Sequence, residues 1–300
     1  MRTSPSMQLT NLIKGASWSL CALMLVALAP SKASGVIVTF PGFGDGTGIS
    51  MQGSAAIFVV DGETVLRLVP ASTYQSGTAF GATKLSSATF STAFQFRITN
   101  AGGISDGSQS GGDGFTFIVQ NEAVNVVGNT GIALGIGGIS PSIAVEFDTY
   151  RNSGEVSSNH IGIDVNGNYN SVATADIASV FGSGTRLDST TSSATTWTAW
   201  IDYNGTTFEV RLSNNEVRPT NALLTHTIDL VSTLGSSSTY IGFTASTGSA
   251  YGNYDIVNWA YSDTFVTGGI SPVPEASTLT LTALGLSCIG LLTWRRRRRN

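Results

Sequence analysis

Between Gly35 and Phe265 no stretch of the chain carries a helical period longer than a few turns. Short runs rich in Val, Ile, Thr and Phe alternate instead with clusters of Gly, Ser, Asn and Asp. That texture restricts the fold to short strands joined by turns. Strands are predicted over residues 56–60, 64–68, 91–98, 114–120, 142–149, 160–165, 196–203, 206–213, 240–247 and 254–265. Phe94, Phe96 and Ile98 interleave with Gln95 and Arg97, and Trp197, Ala199 and Ile201 interleave with Thr198 and Asp202. Each such strand therefore buries one face and wets the other. Trp197 and Trp259 are expected in the core, whereas Trp200 points the opposite way from Trp197. Asn204-Gly205 predicts a type I′ hairpin, because both residues tolerate positive φ. Asn204-Gly205-Thr206 also matches a glycosylation acceptor, beside which the turn reading is the stronger. Many strands without βαβ alternation predict an all-β antiparallel sandwich rather than a parallel sheet.

Both ends read as addresses. Arg2 and Lys14 precede an apolar run over 18–29, and Ser31-Lys32-Ala33 supplies small residues for cleavage after Ala33, so residues 1–33 are expected to be a secretory signal helix. Residues 279–294 are apolar and uncharged and are followed at once by five arginines, Arg295 to Arg299. That order predicts a short transmembrane helix before a basic cytoplasmic tail at 295–300, joined by a linker at 267–278 to a body at 35–266. The span is short for a bilayer that takes about 20 residues to cross, which suits a transient anchor.

Without these ends the body keeps seven Lys and Arg against eighteen Asp and Glu, a formal charge of −11. Nucleic acid is a poor partner for such a surface, because phosphate contacts need Lys and Arg. Bound cations and neutral sugars are compatible with it. Cys21 and Cys288 both lie in the terminal segments, so the body is expected to hold together by its core, without a disulfide.

Chemistry concentrates in Val145-Glu146-Phe147-Asp148-Thr149-Tyr150-Arg151-Asn152, then Glu155, then Asn159-His160-Ile161-Gly162-Ile163-Asp164. Glu146 and Asp148 are two apart on a predicted strand, so both carboxylates leave one face while Val145 and Phe147 enter the core. Two adjacent anions repel unless a cation sits between them. A divalent ion answers that need, with Asn152, Glu155 and His160 close enough in sequence to fold around it. His226 has no such company and is expected to be structural.

Four pieces of the chain, in order, carry a resemblance: Gly112-Asp113-Gly114-Phe115-Thr116-Phe117, Ala144-Val145-Glu146-Phe147-Asp148-Thr149-Tyr150, His160-Ile161-Gly162-Ile163-Asp164, and 240–248 with Trp259 downstream. Together they resemble the legume-type (L-type) lectins, a family with a concanavalin A-like jelly-roll sandwich. The resemblance implies a secreted, non-catalytic carbohydrate-binding protein that holds Ca2+ beside Mn2+ or another transition metal. It carries over Glu146 and His160 as ligands of the transition metal and Asp148 as a bridge to both ions. Tyr150 would offer calcium its backbone carbonyl and Asn152 its side-chain oxygen. Glu155 stands where the family has an Asp, one methylene longer. For the sugar, the resemblance implies Asp113 as acceptor, after a Gly112-Asp113 peptide often cis in the family, and Asn152 as donor. A backbone N–H from the run 135–138, at Gly137 or Gly138, would complete the polar set. Tyr150, Tyr169 and Tyr251 are candidates for the aromatic cover. The ions would stiffen residues 149–159 so that Asn152 meets a sugar hydroxyl.

The tail resembles a PEP-CTERM sorting signal, with Val273-Pro274-Glu275-Ala276 carrying Ala276 at the second proline. It implies a Gram-negative bacterium, processing by an exosortase-type enzyme after transient inner-membrane anchoring, and export to the cell envelope, cell surface or beyond, with exopolysaccharide or other glycans as partners. Two other functions stand against this one. Concanavalin A-like glycoside hydrolases of the laminarinase type use Glu-x-Asp-x-x-Glu and need two carboxyl groups about 5 Å apart. Here Arg151 occupies the position of the second glutamate. The other is a structural matrix or surface protein with a degenerate lectin site.

Overall fold

The computed structural model describes residue 35 and residues 37–272. The expected signal segment 1–33, the span 279–294, the basic tail 295–300 and the linker beyond residue 272 lie outside the described residues. Among the described residues the strands are β1 (Ile37–Phe40), β2 (Ile49–Gly53), β3 (Ala56–Val60), β4 (Glu63–Val69), β5 (Ser76–Gly81), β6 (Leu85–Ser86), β7 (Phe90–Gly103) and β8 (Gly114–Gln120). They continue as β9 (Ser142–Asp148), β10 (His160–Val165), β11 (Asn168–Asp176), β12 (Trp197–Tyr203), β13 (Thr207–Ser213), β14 (Leu224–Thr227), β15 (Ser238–Ser246) and β16 (Ala250–Ser262). Two helices of one turn and a little more, α1 (Ile177–Phe181) and α2 (Leu230–Leu234), start on Asp176 and Asp229, whose carboxylates accept the backbone N–H of Ser179 and Ser232. Among the described residues no helix is long and apolar enough to cross a membrane.

The strands form two antiparallel sheets. The back sheet runs β14-β13-β12-β7-β16-β4-β3, with β1 on β16, and the front sheet runs β11-β10-β9-β8-β15-β5-β2, with β6 on β15. All ten expected strands are present. The period of two read from the sequence is what joins the layers: Phe94 and Phe96 of β7 meet Phe115 and Phe117 of β8 and Phe147 of β9 between the sheets. Phe115 and Phe147 stack with centroids 4.6 Å apart and planes 5° from parallel. Such ring pairs add about 0.5–1.5 kcal/mol beyond the area they bury. Trp197 and Trp259 are both 1% exposed, as expected for core residues, and Trp200 is buried on the other face of β12.

The hairpin between β12 and β13 corrects one expectation. Gly205 has φ +98°, but Asn204 is absent from the residues of positive φ, so the turn is not type I′. The Asn204 carboxamide accepts the N–H groups of both Thr206 and Thr207, at 3.0 and 2.8 Å. This side-chain turn replaces the left-handed one and lengthens the connection to residues 204–206.

A second, smaller apolar cluster lies on the outer face of the front sheet, where Phe80, Ile118 and Ala144 pack under Ile136 and Ile139. It seats the long connection over residues 121–141. Thr78 Oγ1 donates to Val126 O, Thr244 Oγ1 to Leu134 O and Ser246 Oγ to Gly131 O, at 2.8 to 2.9 Å. These bonds deliver Gly131 to the end of the front sheet where β8 and β9 meet their loops.

Candidate functional site

Register builds the site. On the front sheet Asp148 faces His160, and Glu146 faces Gly162, so two carboxylates and an imidazole share the outer face of β9 and β10 while Ile143, Val145, Phe147, Ile161 and Ile163 fill the core. One ligand atom from each of Glu146, Asp148 and His160 lies within 4.8 Å of the others, and all three residues are buried. Nδ1 of His160 is 3.1 Å from Ser157 O. A carbonyl only accepts, so Nδ1 carries a proton, and in the neutral form of the ring the lone pair of Nε2 faces Glu146 Oε1, 3.3 Å away. Two lone pairs so placed need a proton or a metal ion between them.

Two neighbours complete the cluster. Ser171 Oγ lies 2.5 Å from Glu146 Oε1 and 2.8 Å from Asp164 Oδ1. Gly162 makes room for this packing, since a Cβ there would collide with both Ser171 Oγ and Glu146 Oε1. A cavity of about 310 Å³ opens over Glu146 and His160, rimmed by Glu155, Val156, Tyr169 and Ile132.

The charges confirm how little countercharge is present. Burial, then Glu146 and Glu155, push the Asp148 carboxyl well above the usual range against the opposing Tyr150 N–H. Burial and Glu146 do the same to Asp164. Burial pulls the His160 ring down, but the bond and charge of Glu146, with Glu155 behind, outweigh it and raise the imidazole. The residues fit a divalent ion: one imidazole among carboxylates suits manganese or zinc, while calcium takes six to eight oxygens.

Asp113 closes β8. Its peptide with Gly112 is cis, as the resemblance implied. Its carbonyl accepts from Thr149 N at 2.9 Å and Thr149 Oγ1 at 3.2 Å, which fixes it beside the end of β9. Its carboxyl is 6% exposed as a residue, and burial, with Glu155 adding and the Gly248 backbone opposing, pushes it up to about 7. Oδ2 of Asp113 and Nδ2 of Asn152 are both buried with no hydrogen bond of good geometry, the Gly248 backbone and the Glu155 carboxylate being their nearest polar neighbours.

The remaining sequence-predicted residues fall as follows. Glu155 turns its carboxylate to the Asn152 N–H, at 2.5 Å, and sits at the cavity rim outside the three-group set. Tyr150 gives its N–H to Asp148 Oδ1 at 2.8 Å and packs its Cβ against Gly112. Tyr251 lies on Gly102 and Tyr169 lines the cavity, so Tyr150 is the candidate aromatic next to Asp113. The glycines that approach Asp113 Oδ2 are Gly131 and Gly248, at 3.9 and 3.1 Å from a Cβ built on each. Gly137 instead gives its N–H to Ala133 O inside the loop, and Gly138 has nothing against it. Gly131 and Ser171 have no place in the sequence reading, whereas Gly248 opens the loop 248–253 that the sequence puts at the border of the site, and Asp164 lies in the ligand-rich span without an assigned role. Asp164 is the one with a local signal, two residues beyond Gly162 on the face of His160.

A two-layer antiparallel sandwich with a carboxylate–imidazole cluster and a half-satisfied polar pair at one end of its front sheet defines the concanavalin A-like lectin class. The chain belongs to the legume lectin domain family, whose model matches residues 37–274. That family binds carbohydrate without catalysis, and its members generally hold calcium and manganese. Among curated relatives, L-type lectin-domain containing receptor kinase VIII.1 of Arabidopsis thaliana is 32% identical over 202 residues, 63% of this chain and 26% of its own. Receptor kinase SIT2 of Oryza sativa subsp. japonica, of the same L-type class, is 29% identical over 280 residues, covering 86% and 39%. The chain thus spans well under half the length of these relatives. Among solved structures, basic winged bean lectin with Tn-antigen superposes with TM-score 0.58 at 25% identity, covering 76% of this chain and 97% of that one. Lectin I-B4 of Griffonia simplicifolia in its metal-free form gives 0.58 at 27%, covering 76% and 98%.

Proposed function

We propose that the protein is a metal-stabilised glycan receptor whose sugar site lies between Asp113 and Asn152. The observation that carries this reading is the pair of buried polar atoms, Asp113 Oδ2 and Asn152 Nδ2, left without good partners at the mouth of the front sheet. A sugar hydroxyl donates to the first and accepts from the second, and a charge-assisted bond to the carboxylate is the stronger of the two. Gly131 brings backbone to the same carboxylate, a role the sequence reading gave to Gly137 or Gly138, and Tyr150 offers an apolar face. Glu146, Asp148 and His160 would hold the transition metal, and Asp148, Tyr150 and Asn152 the calcium, with Glu155 as a further carboxylate toward them. Bound ions neutralise the cluster and fix residues 149–159. The test is a glycan array on the protein loaded with calcium and manganese, repeated in EDTA. Retention of no glycan, together with a melting temperature indifferent to EDTA, would leave the structural surface-protein reading instead.

The sequence supports an address as well: a signal segment at 1–33, a PEP-CTERM-like linker and motif at 267–278, a span at 279–294 and arginines to 299, processed by an exosortase-type enzyme in a bacterial envelope, with exopolysaccharide as the glycan. Mass spectrometry of the mature termini in fractionated cells checks it. An intact C-terminal arginine cluster on the surface-exposed protein would refute processing.

A further inference from the structure

We propose that Asp188 is a positioning residue that locks the two halves of the sugar site, the Asp113 side and the Asn152 side, to one another and to the back sheet. The inference rests on the glycan-site reading for its purpose, and on side-chain geometry for its content. The Asp188 side chain is 0% exposed and both of its oxygens are engaged. Oδ1 accepts from Arg186 Nε at 2.8 Å and from Asn159 Nδ2 at 3.0 Å, and Oδ2 accepts from Gln109 Nε2 at 3.0 Å. Its backbone is bridged to Ile98 of β7, where Ser189 N donates to Ile98 O at 3.0 Å. One carboxylate therefore ties three segments that are far apart in sequence.

Those segments are the ones that carry the site. Asn159 immediately precedes His160, and its Oδ1 also accepts Leu187 N at 2.6 Å, so both ends of its carboxamide are gripped by residues 187 and 188. Arg186, held by Asp188, spends another nitrogen on Thr149 O at 3.2 Å and Ser158 O at 3.4 Å. Thr149 immediately follows Asp148. Residues 149–159 are thus clamped at both ends by the same Arg–Asp pair. On the other side, Gln109 leads through Gly111, whose position leaves Asp188 Oδ2 only 2.9 Å from any added Cβ, to Gly112 and Asp113. A buried charge satisfied by donors from three segments costs desolvation but admits one arrangement, which is the use to which such groups are best put.

The test is hydrogen exchange on the purified protein in EDTA, with manganese and calcium affinities measured separately by calorimetry. Asp188→Ala is expected to raise exchange about tenfold in peptides covering 104–112 and 149–159 together, to leave β12 and β13 unchanged, and to weaken ion binding about tenfold. Asp188→Asn, which keeps an acceptor for Arg186 and Asn159, is expected to restore most of the protection over 149–159. Gln109→Ala, a milder change should Asp188→Ala fail to fold, is expected to loosen 104–112 alone and leave ion affinity within about twofold. The proposal is overturned if exchange rises only over 182–196, if it rises alike throughout the sandwich, or if ion affinity ignores Asp188→Ala. A wild-type protein that takes up no glycan would refute the sugar-site reading, and the exchange pattern would still decide the role of Asp188.

Discussion

Nε2 of His160 stands 3.3 Å from Oε1 of Glu146, with Nδ1 committed to the Ser157 carbonyl. Glu146 and Glu155 raise the imidazole against the pull of burial, so in the metal-free protein Nε2 takes up a proton more readily than a free imidazole does. A metal ion must displace that proton. Manganese affinity is therefore expected to climb as pH rises through the histidine range and to flatten above it. His160→Ala should lose more than the ~10–100-fold typical of groups that only orient a ligand. Calorimetric titrations between pH 5 and 8 check both; a flat profile would remove His160 from the ligand set.

The buried carboxyls set the pH dependence of stability. Asp113 is raised to about 7, and Asp148 and Asp164 are also raised well above the usual carboxylate range, each first of all by burial. A carboxyl with a raised folded pKa holds its proton in the folded state after the unfolded chain has released it. Its stabilisation is intact below the unfolded value near 3.8 and is lost progressively as pH rises through the folded value. The metal-free protein should therefore melt lower at pH 8 than at pH 5, and bound ions should remove most of that slope. Thermal melts in EDTA and in excess calcium and manganese measure it; equal slopes in both would show that the cluster does not bind ions.

Much of this was legible in the chain, and the limits have physical causes. Strands β7, β8, β9, β12 and β16 announce themselves because bulky residues recur every second position. Strand β11, Asn168–Asp176, does not: it is an edge strand of small and polar residues whose side chains are mostly exposed. Strand β5 is missed for the opposite reason, since Gly77 and Ala79 are buried where backbones pass too closely for larger groups. Glu146, Asp148 and His160 were readable because a period of two and a strand register bring them together. Gly131 reaches Asp113 through a loop path fixed by the Thr244 and Ser246 hydroxyls, for which no local pattern exists.

Asp113 and the cation cluster are separable by one substitution. Asp113→Asn keeps the shape and the backbone bonds to Thr149 but removes the charge, so a sugar hydroxyl loses a charge-assisted bond worth about 1.5–3 kcal/mol, ~10–150-fold in affinity. Ion content should stay at the wild-type level, because Asp113 is outside the three-group set. Frontal affinity chromatography with metal analysis on the same sample gives both numbers. Unchanged glycan retention would move the sugar site away from Asp113.

Gly162 tests whether the cluster depends on space as well as charge. A methyl at this position meets Ser171 Oγ and Glu146 Oε1 from the facing and neighbouring strands, at distances no Cβ tolerates. Glu146 is 3% exposed and has the Phe147 core behind it, so its carboxylate must swing away from His160 rather than retreat. Gly162→Ala should cost about 1–3 kcal/mol by overpacking, in the metal-free protein as well as the loaded one. The displaced Glu146 also leaves the ion two near ligands instead of three, so excess manganese should recover less of the melting temperature in the variant than in the wild type. Denaturant unfolding with and without manganese separates the two effects, and a full recovery by the ion would mean that Glu146 is not among its ligands.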